Sequence, residues 1–196
     1  MTSPAAPTRP RAGAAARARI VDAAIRCVVQ DGLTDASMAA IAATGGVSKA
    51  LLHYHYADRA HLLAEATTEL ERRIVARERA AIDAARGSGA VDAHWEWLAG
   101  ELDRGELRAL LELGLQREAE IRAAADAATL ARVRAATQTV TQLFAALGLT
   151  PRMPAALLAG AVLAFIDGLA IGPAAPAREP RVAFDLFWLA LLGLAE

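Results

Sequence analysis

Residues 37–56, SMAAIAATGGVSKALLHYHY, constrain what this chain can fold into more than any other stretch. Met38, Ile41 and Ala42 stand at i, i+3 and i+4, the spacing of a helix with one buried face. Ser37 precedes them as a natural N-cap, because its hydroxyl can accept a bond from a free first-turn N–H. Gly45-Gly46 stops that helix, since glycine enters left-handed backbone without a Cβ penalty. Val47 reads as an inward-packed turn residue and Ser48 as a second cap. The spacing then predicts another helix from Lys49 to about Tyr56. Two short helices joined this tightly form a helix-turn-helix, whose second helix is the candidate for a DNA major groove.

That second helix divides by face. Leu52 and Tyr56 are four apart and pack inward. Lys49 with His53, and Ala50 with Tyr54, are i, i+4 pairs on the outward side. Lysine, histidine and tyrosine offer donors for base edges or phosphates, and alanine permits close backbone approach. A packing hairpin of two short helices shows the same pattern, so the motif alone leaves both readings open.

The run from Arg17 to Leu63 resembles the DNA-binding domain of the TetR family of transcriptional regulators. The matching residues are Arg17, Ile20, Ala23-Ala24, Asp31-Gly32, Ser37-Met38, Ile41-Ala42, Gly46-Val47-Ser48, Leu52, His55-Tyr56, Arg59 and Leu62-Leu63. The resemblance implies that the third helix reads an operator. It also implies that the positions of His53 and Arg59 hold phosphates. Ala50 stands where glycine is usual, and Leu51 where threonine or alanine is usual. The candidate DNA-contacting residues are therefore Arg17, Ser37, Ser48, Lys49, Ala50, His53, Tyr54 and Arg59.

Of the 196 residues, 55% are hydrophobic, enough for a sizeable core, and only 5% are aromatic. No run shows sustained β-type alternation, and Ala, Leu, Arg and Glu dominate. The expected fold is all-α, and the resemblance implies an N-terminal three-helix DNA-binding domain and a C-terminal helical bundle for ligand binding and dimerisation. Residues 1–63 carry seven Lys/Arg against four Asp/Glu, while the remainder carries 14 against 18. A basic head on an acidic body suits one DNA-contacting end. Cys27 is the only cysteine, which excludes an intrachain disulfide and fits a reducing cytoplasm. It reads as a small core residue. The N-terminus lacks the apolar core of a signal peptide, so the protein is expected in the cytoplasm.

In order, residues 1–16 read as a flexible arm, basic and rich in proline, whose arginines are a second source of phosphate or minor-groove contacts. Residues 17–63 form the DNA-binding domain and 64–196 the body. A first helix is expected from about Ala15 to Gln30. A long helix capped by Asp58 should run to about Arg86, with Leu62, Leu63, Ala66, Leu70 and Ile74 buried and Glu69 paired with Arg73. The body should continue with helices over Val91–Glu101, Glu106–Arg117 and Ala119–Ala146. Leu107, Leu110, Leu111 and Leu115 are expected on one face of the second of these. The third should carry a seam of Leu130, Val133, Thr137, Val140, Phe144 and Leu147.

Helices Ala155–Ile171 and Val182–Leu194 are apolar nearly all round, so every face must be covered. Asp167 interrupts the first, and its 17 residues fall short of the roughly 20 that a membrane span needs. Burial against a second copy, through residues 155–171 and 181–194, is the better answer. The segment Phe165-Ile166-Asp167-Gly168-Leu169 resembles part of the penultimate helix of TetR proteins, whose last two helices form a four-helix dimer interface. Candidate residues around a small-molecule effector are Trp95, Trp97, Leu98, Leu110, Leu113, Gln116, Phe144, Phe165 and Asp167. Asp167 needs a partner in so apolar a helix, and a protein group is expected rather than a cationic ligand. No catalytic constellation, cofactor loop or metal-ligand spacing appears. The sequence thus reads as a homodimeric regulator binding a palindromic operator and released from it by an unknown effector. The alternative is a helical small-molecule-binding protein or enzyme whose helix pair never meets DNA.

Overall fold

A computed structural model describes residues 9–85, 87, 89–172 and 179–196. Its elements are α1 (Arg9–Asp31), α2 (Met38–Gly45), α3 (Lys49–His55), α4 (Arg59–Ala84), α5 (Gly89–Arg104), α6 (Glu106–Gly114), α7 (Ala119–Ala146), α8 (Ala155–Ile171) and α9 (Pro180–Leu192). Among the described residues there is no strand beyond one antiparallel bridge between Pro151 and Ala195. That bridge ties the C-terminus to the α7–α8 connection, and Arg152 reinforces it with a 2.9 Å ion pair to Glu196.

The first helix begins at Arg9, earlier than the sequence suggests. The alanine-rich run after Pro10 favours helix, and proline is tolerated in a first turn. Residues 9–16 are therefore helical rather than a flexible arm; residues 1–8 of that arm lie outside the described part. Helix α1 buries Ile20, Val21, Ala23, Ala24, Cys27 and Val28 against α2 and α4.

Helix α4 starts where Asp58 caps it, its carboxylate accepting from the His61 N–H at 2.9 Å. Leu62, Leu63, Ala66, Leu70 and Ile74 are buried along it, and Glu69 pairs with Arg73 at 2.7 Å. Its N-terminal half packs on α1 and its remainder on α5, α6 and above all α7. The long helix expected from sequence is thus a single 26-residue helix shared by both parts of the chain.

Two apolar assignments shift. Helix α6 ends at Gly114, so Leu115 falls outside it and is 74% exposed, while Leu113 turns inward. In α7 the buried line runs through Ile121, Ala125, Ala128, Arg132, Ala135, Ala136, Thr139, Val140, Leu143 and Phe144. Leu130, placed in the seam from sequence, is 61% exposed. Small residues let α7 approach α4 closely, so alanine rather than the largest aliphatics marks the buried face.

Helix α6 also meets the DNA-binding part. Gly105, its N-cap, has φ of 69°, and a Cβ there would lie 3.4 Å from the Val29 side chain of α1.

Candidate nucleic-acid interface and effector region

Both caps form as the sequence requires. Ser37 Oγ accepts from the Ala40 N–H at 3.2 Å, and Ser48 Oγ accepts from the Leu51 N–H at 3.1 Å. Gly46 closes α2 in the left-handed region, with φ of 59°. Leu52 and Tyr56 are buried, which fixes the roll of α3 and sends Lys49, Ala50, His53 and Tyr54 to the surface. Tyr54 is 82% exposed, with its ring edge-on to His55 at 5.1 Å. Each capping hydroxyl keeps its own proton, so Ser37 and Ser48 can still donate to a phosphate.

Two candidate contacts have other work. The Arg17 guanidinium forms a double bond-pair with Glu65, at 2.9 and 2.8 Å from Nε, and lies 5.4 Å from the Tyr56 ring centroid. That carboxylate, and burial of the phenol, push Tyr56 well above the usual tyrosine range, burial being the larger cause. Arg59 lies beyond α3, as the first residue of α4. Its guanidinium donates to the carbonyls of Ala36, at 2.8 Å, and Leu33. Arg17 and Arg59 thus pin α1, the α1–α2 turn and α4 together, rather than standing free for phosphate. The partners lie 23 to 48 residues away, so spacing in the sequence gave no sign of them.

Among the nine candidate effector residues, Gln116 and Phe165 line clefts, each a different one. Leu98, Leu113 and Phe144 are fully enclosed, and Trp97 and Leu110 are buried. Phe165 stacks on Phe187 with centroids 4.3 Å apart. Trp95 packs on Phe184, with Arg181 5.6 Å from its ring centroid. Gln116 donates to the Glu112 carbonyl. Asp167 finds the protein partner expected of it, accepting from both terminal nitrogens of Arg132 on α7.

Two clefts lie where the body meets the DNA-binding part. One, of about 660 Å³, is lined by Val29, Asp31, Leu102, Gly105, Arg108 and Leu169, among others. Another, of about 710 Å³, is lined by Leu33, Thr34, Ser37, Arg59, Leu115 and Gln116, among others. Beside the first, Glu101 is fully buried between Arg77, at 2.6 Å, and Arg104, at 2.9 Å.

A second buried polar group sits deeper. His94 is fully enclosed, and neither ring nitrogen has a hydrogen-bond partner. Burial alone lowers its pKa to about 4. Glu78 faces it across 3.9 Å and accepts from the Thr139 hydroxyl at 2.9 Å, while burial raises its own pKa. Below pH 6.5 the unfolded histidine takes up a proton that the folded one refuses. Stability should therefore fall as pH drops from about 6.5 to about 4, by roughly 2–3 kcal/mol from this group. Glu78 acts with the opposite sign, so the measurement is a comparison: chemical denaturation across this range should show a shallower acid limb in His94→Phe than in wild type.

The sequence profile of bacterial regulatory proteins of the TetR family matches residues 20–66, the span that holds α2, α3 and their supports. Residues 20–66 are thus similar to the DNA-binding domain of the TetR family. It is similar over nearly its whole length to solved structures. A Pseudomonas aeruginosa PAO1 protein described as a transcriptional regulator is 27% identical, with a TM-score of 0.70 over 91% of this chain and 89% of that one. A TetR-family transcription regulator from Marinobacter aquaeolei VT8 is 20% identical, with a TM-score of 0.63 over 94% and 98%. A Saccharomonospora viridis protein described as a transcriptional regulator and solved with choline is 19% identical, with a TM-score of 0.70 over 93% and 99%. No curated protein matches the chain. A TetR-type helix-turn-helix domain on an all-helical body is the architecture of a DNA-binding transcriptional regulator. Among the described residues no helix is long and apolar enough to cross a membrane.

Proposed function

We propose that this regulator is a cytoplasmic homodimeric repressor that leaves a palindromic operator when a small molecule binds its body. The observation that carries the reading is the surface of α3: Lys49, Ala50, His53 and Tyr54 are exposed on a helix whose roll is fixed by buried Leu52 and Tyr56. A solvated helix has no need of that set, whereas a base-reading helix does. The reader would extend to about Leu63, with α4 carrying movement from the body. Dimerisation through α8 and α9 would hold two such helices about 34 Å apart, one turn of DNA. A ligand can release the operator only to the extent that it binds the spread arrangement more tightly. The neighbour solved with choline is consistent with a body that accepts a small molecule.

Selection of bound fragments from random DNA tests the reading: a palindromic sequence bound in a salt-sensitive manner is expected. Failure to enrich any sequence would sink it. Lys49, at the start of α3, is placed to reach base edges. Lys49→Ala should weaken operator binding by about tenfold or more, with a smaller loss on random DNA. Equal losses on both would move Lys49 to the phosphate contacts. Arg59→Ala, in contrast, should lower folding stability by about 1–3 kcal/mol through its lost carbonyl bonds. The salt slope should be unchanged, because the guanidinium is already engaged. A slope reduced by about one would restore Arg59 as a phosphate contact.

A further inference from the structure

Buried polar side chains in folded proteins are nearly always satisfied, so a cluster of exceptions asks for a reason. Most buried polar side chains of the body comply. Glu101 is held by Arg77 and Arg104, Arg132 by Asp167, and Thr139 by Glu78. The exceptions gather in one place. Both nitrogens of His94 and the indole nitrogens of Trp97 and Trp188 are buried without partners. The His94 ring lies 5.3 Å from Trp97, 5.6 Å from Trp188 and 5.8 Å from Phe184, centroid to centroid. Helix α5 supplies His94 and Trp97, and α9 supplies Phe184 and Trp188. Glu78 of α4 stands at the edge.

We propose that this cluster is the effector site, opening between α5 and α9 to admit an uncharged aromatic compound that carries a carbonyl or hydroxyl oxygen. The inference rests on the ligand-responsive reading above and names its ligand class. Three considerations select the class. The rings of Trp97, Phe184 and Trp188 gather around that of His94, and a flat ring inserted among them keeps stacked or edge-on contacts. Two indole N–H groups and one imidazole N–H are donors that only an acceptor can satisfy. Arg132, the cation whose charge reaches Glu78, is already engaged by Asp167, and the Glu78 carboxyl, pushed toward its neutral form by burial, is a weak counter-ion for a cation. A neutral ligand avoids both costs.

The site also explains how binding would be transmitted. The opposite side of α9 carries Leu186 and Leu189, both exposed. A ligand that parts α9 from α5 therefore shifts the helix that is expected to meet the second copy, and with it the spacing of the two α3 helices.

The test uses full-length protein and three probes with the same ring: acetophenone, benzoate and benzyltrimethylammonium. The indole N–H resonances of Trp97 and Trp188, assigned with Trp→Phe variants, report directly on the unpaired donors. Acetophenone should move both saturably and more tightly than either charged probe. His94→Phe keeps the ring and removes the polar atoms, so its affinity for acetophenone should fall about tenfold while its fold is retained or strengthened. Unmoved indole resonances, tighter binding of a charged probe, or undiminished affinity in His94→Phe would overturn the proposal. Operator binding is measured in parallel. Release by acetophenone with unmoved indoles would leave the ligand-responsive reading standing and refute this site. Saturated indoles with unchanged operator affinity would instead defeat the ligand-responsive reading, and with it the site's role as an effector site.

Discussion

Leu189→Asp is expected to turn a dimer into a monomer and to abolish tight operator binding without unfolding the chain. Leu189 is 68% exposed and Leu186 63% exposed on α9, and Leu157 and Ile171 on α8 are also largely exposed. Burying each such side chain contributes about 1.5–3 kcal/mol. In a two-fold interface one substitution acts twice, and each carboxylate is buried without a partner. A loss of at least about 4 kcal/mol, or three orders of magnitude in dimer affinity, follows. The fold should tolerate the change, because the Leu189 side chain makes little use of its own core and surface substitutions usually cost within about 0.5 kcal/mol. Leu191 makes the opposite case: it is only 5% exposed, so Leu191→Asp should unfold the monomer and reveals nothing about the interface. Phe187 is intermediate, since its ring stacks on Phe165 within the same chain. Light scattering with circular dichroism separates these outcomes. A wild-type monomer at micromolar concentration would refute the dimer.

The sequence was most legible where local chemistry decides. Serine, glycine and aspartate at Ser37, Gly46, Ser48 and Asp58 act on backbone groups a few residues away, and the α2, α3 and α4 boundaries follow from them. The exposed face of α3 was legible for the same reason, because one buried pair four residues apart fixes its roll. What the sequence concealed depends on partners far along the chain. Arg17 looks like a free cation until Glu65 is placed beside it, and Arg59 until the carbonyls of Leu33 and Ala36 are. Val140 and Phe144 of the α7 seam are buried as expected, but Leu130 is not, because the packing there also runs through alanine, which apolar periodicity traced through leucine and valine passes over. Most of the candidate effector residues are large apolar side chains in apolar stretches, which is also the signature of ordinary core, as Leu98, Leu113 and Phe144 show. His94 carried the better signal, but only as a burial without partners, and burial is not visible in a sequence.

Asp167→Ala should be among the most destabilising substitutions in the body. Helix α8 is apolar nearly all round, and Asp167 survives in it because Arg132 of α7 reaches across with two N–H donors. Arg132 is only 8% exposed, so removal of the carboxylate leaves a guanidinium largely cut off from water. Breaking a buried pair from one side costs about 3–5 kcal/mol. Because the Asp167 side chain retains 29% exposure, solvent can partly replace it, and about 2–4 kcal/mol is the expected loss. Asp167→Asn keeps an acceptor oxygen and should lose about half as much. The double variant Arg132→Met with Asp167→Ala removes both charges, and should recover part of the loss. Urea unfolding of these variants and of Arg132→Met alone measures each term, and the cycle of wild type, Asp167→Ala, Arg132→Met and the double gives the coupling between the two residues. A single Asp167→Ala loss below about 0.5 kcal/mol would mean that the pair does not hold α7 to α8 in solution. The consequence reaches function through α8: the helix expected to meet the second copy is located by this pair, so a loosened pair should weaken dimerisation along with the fold.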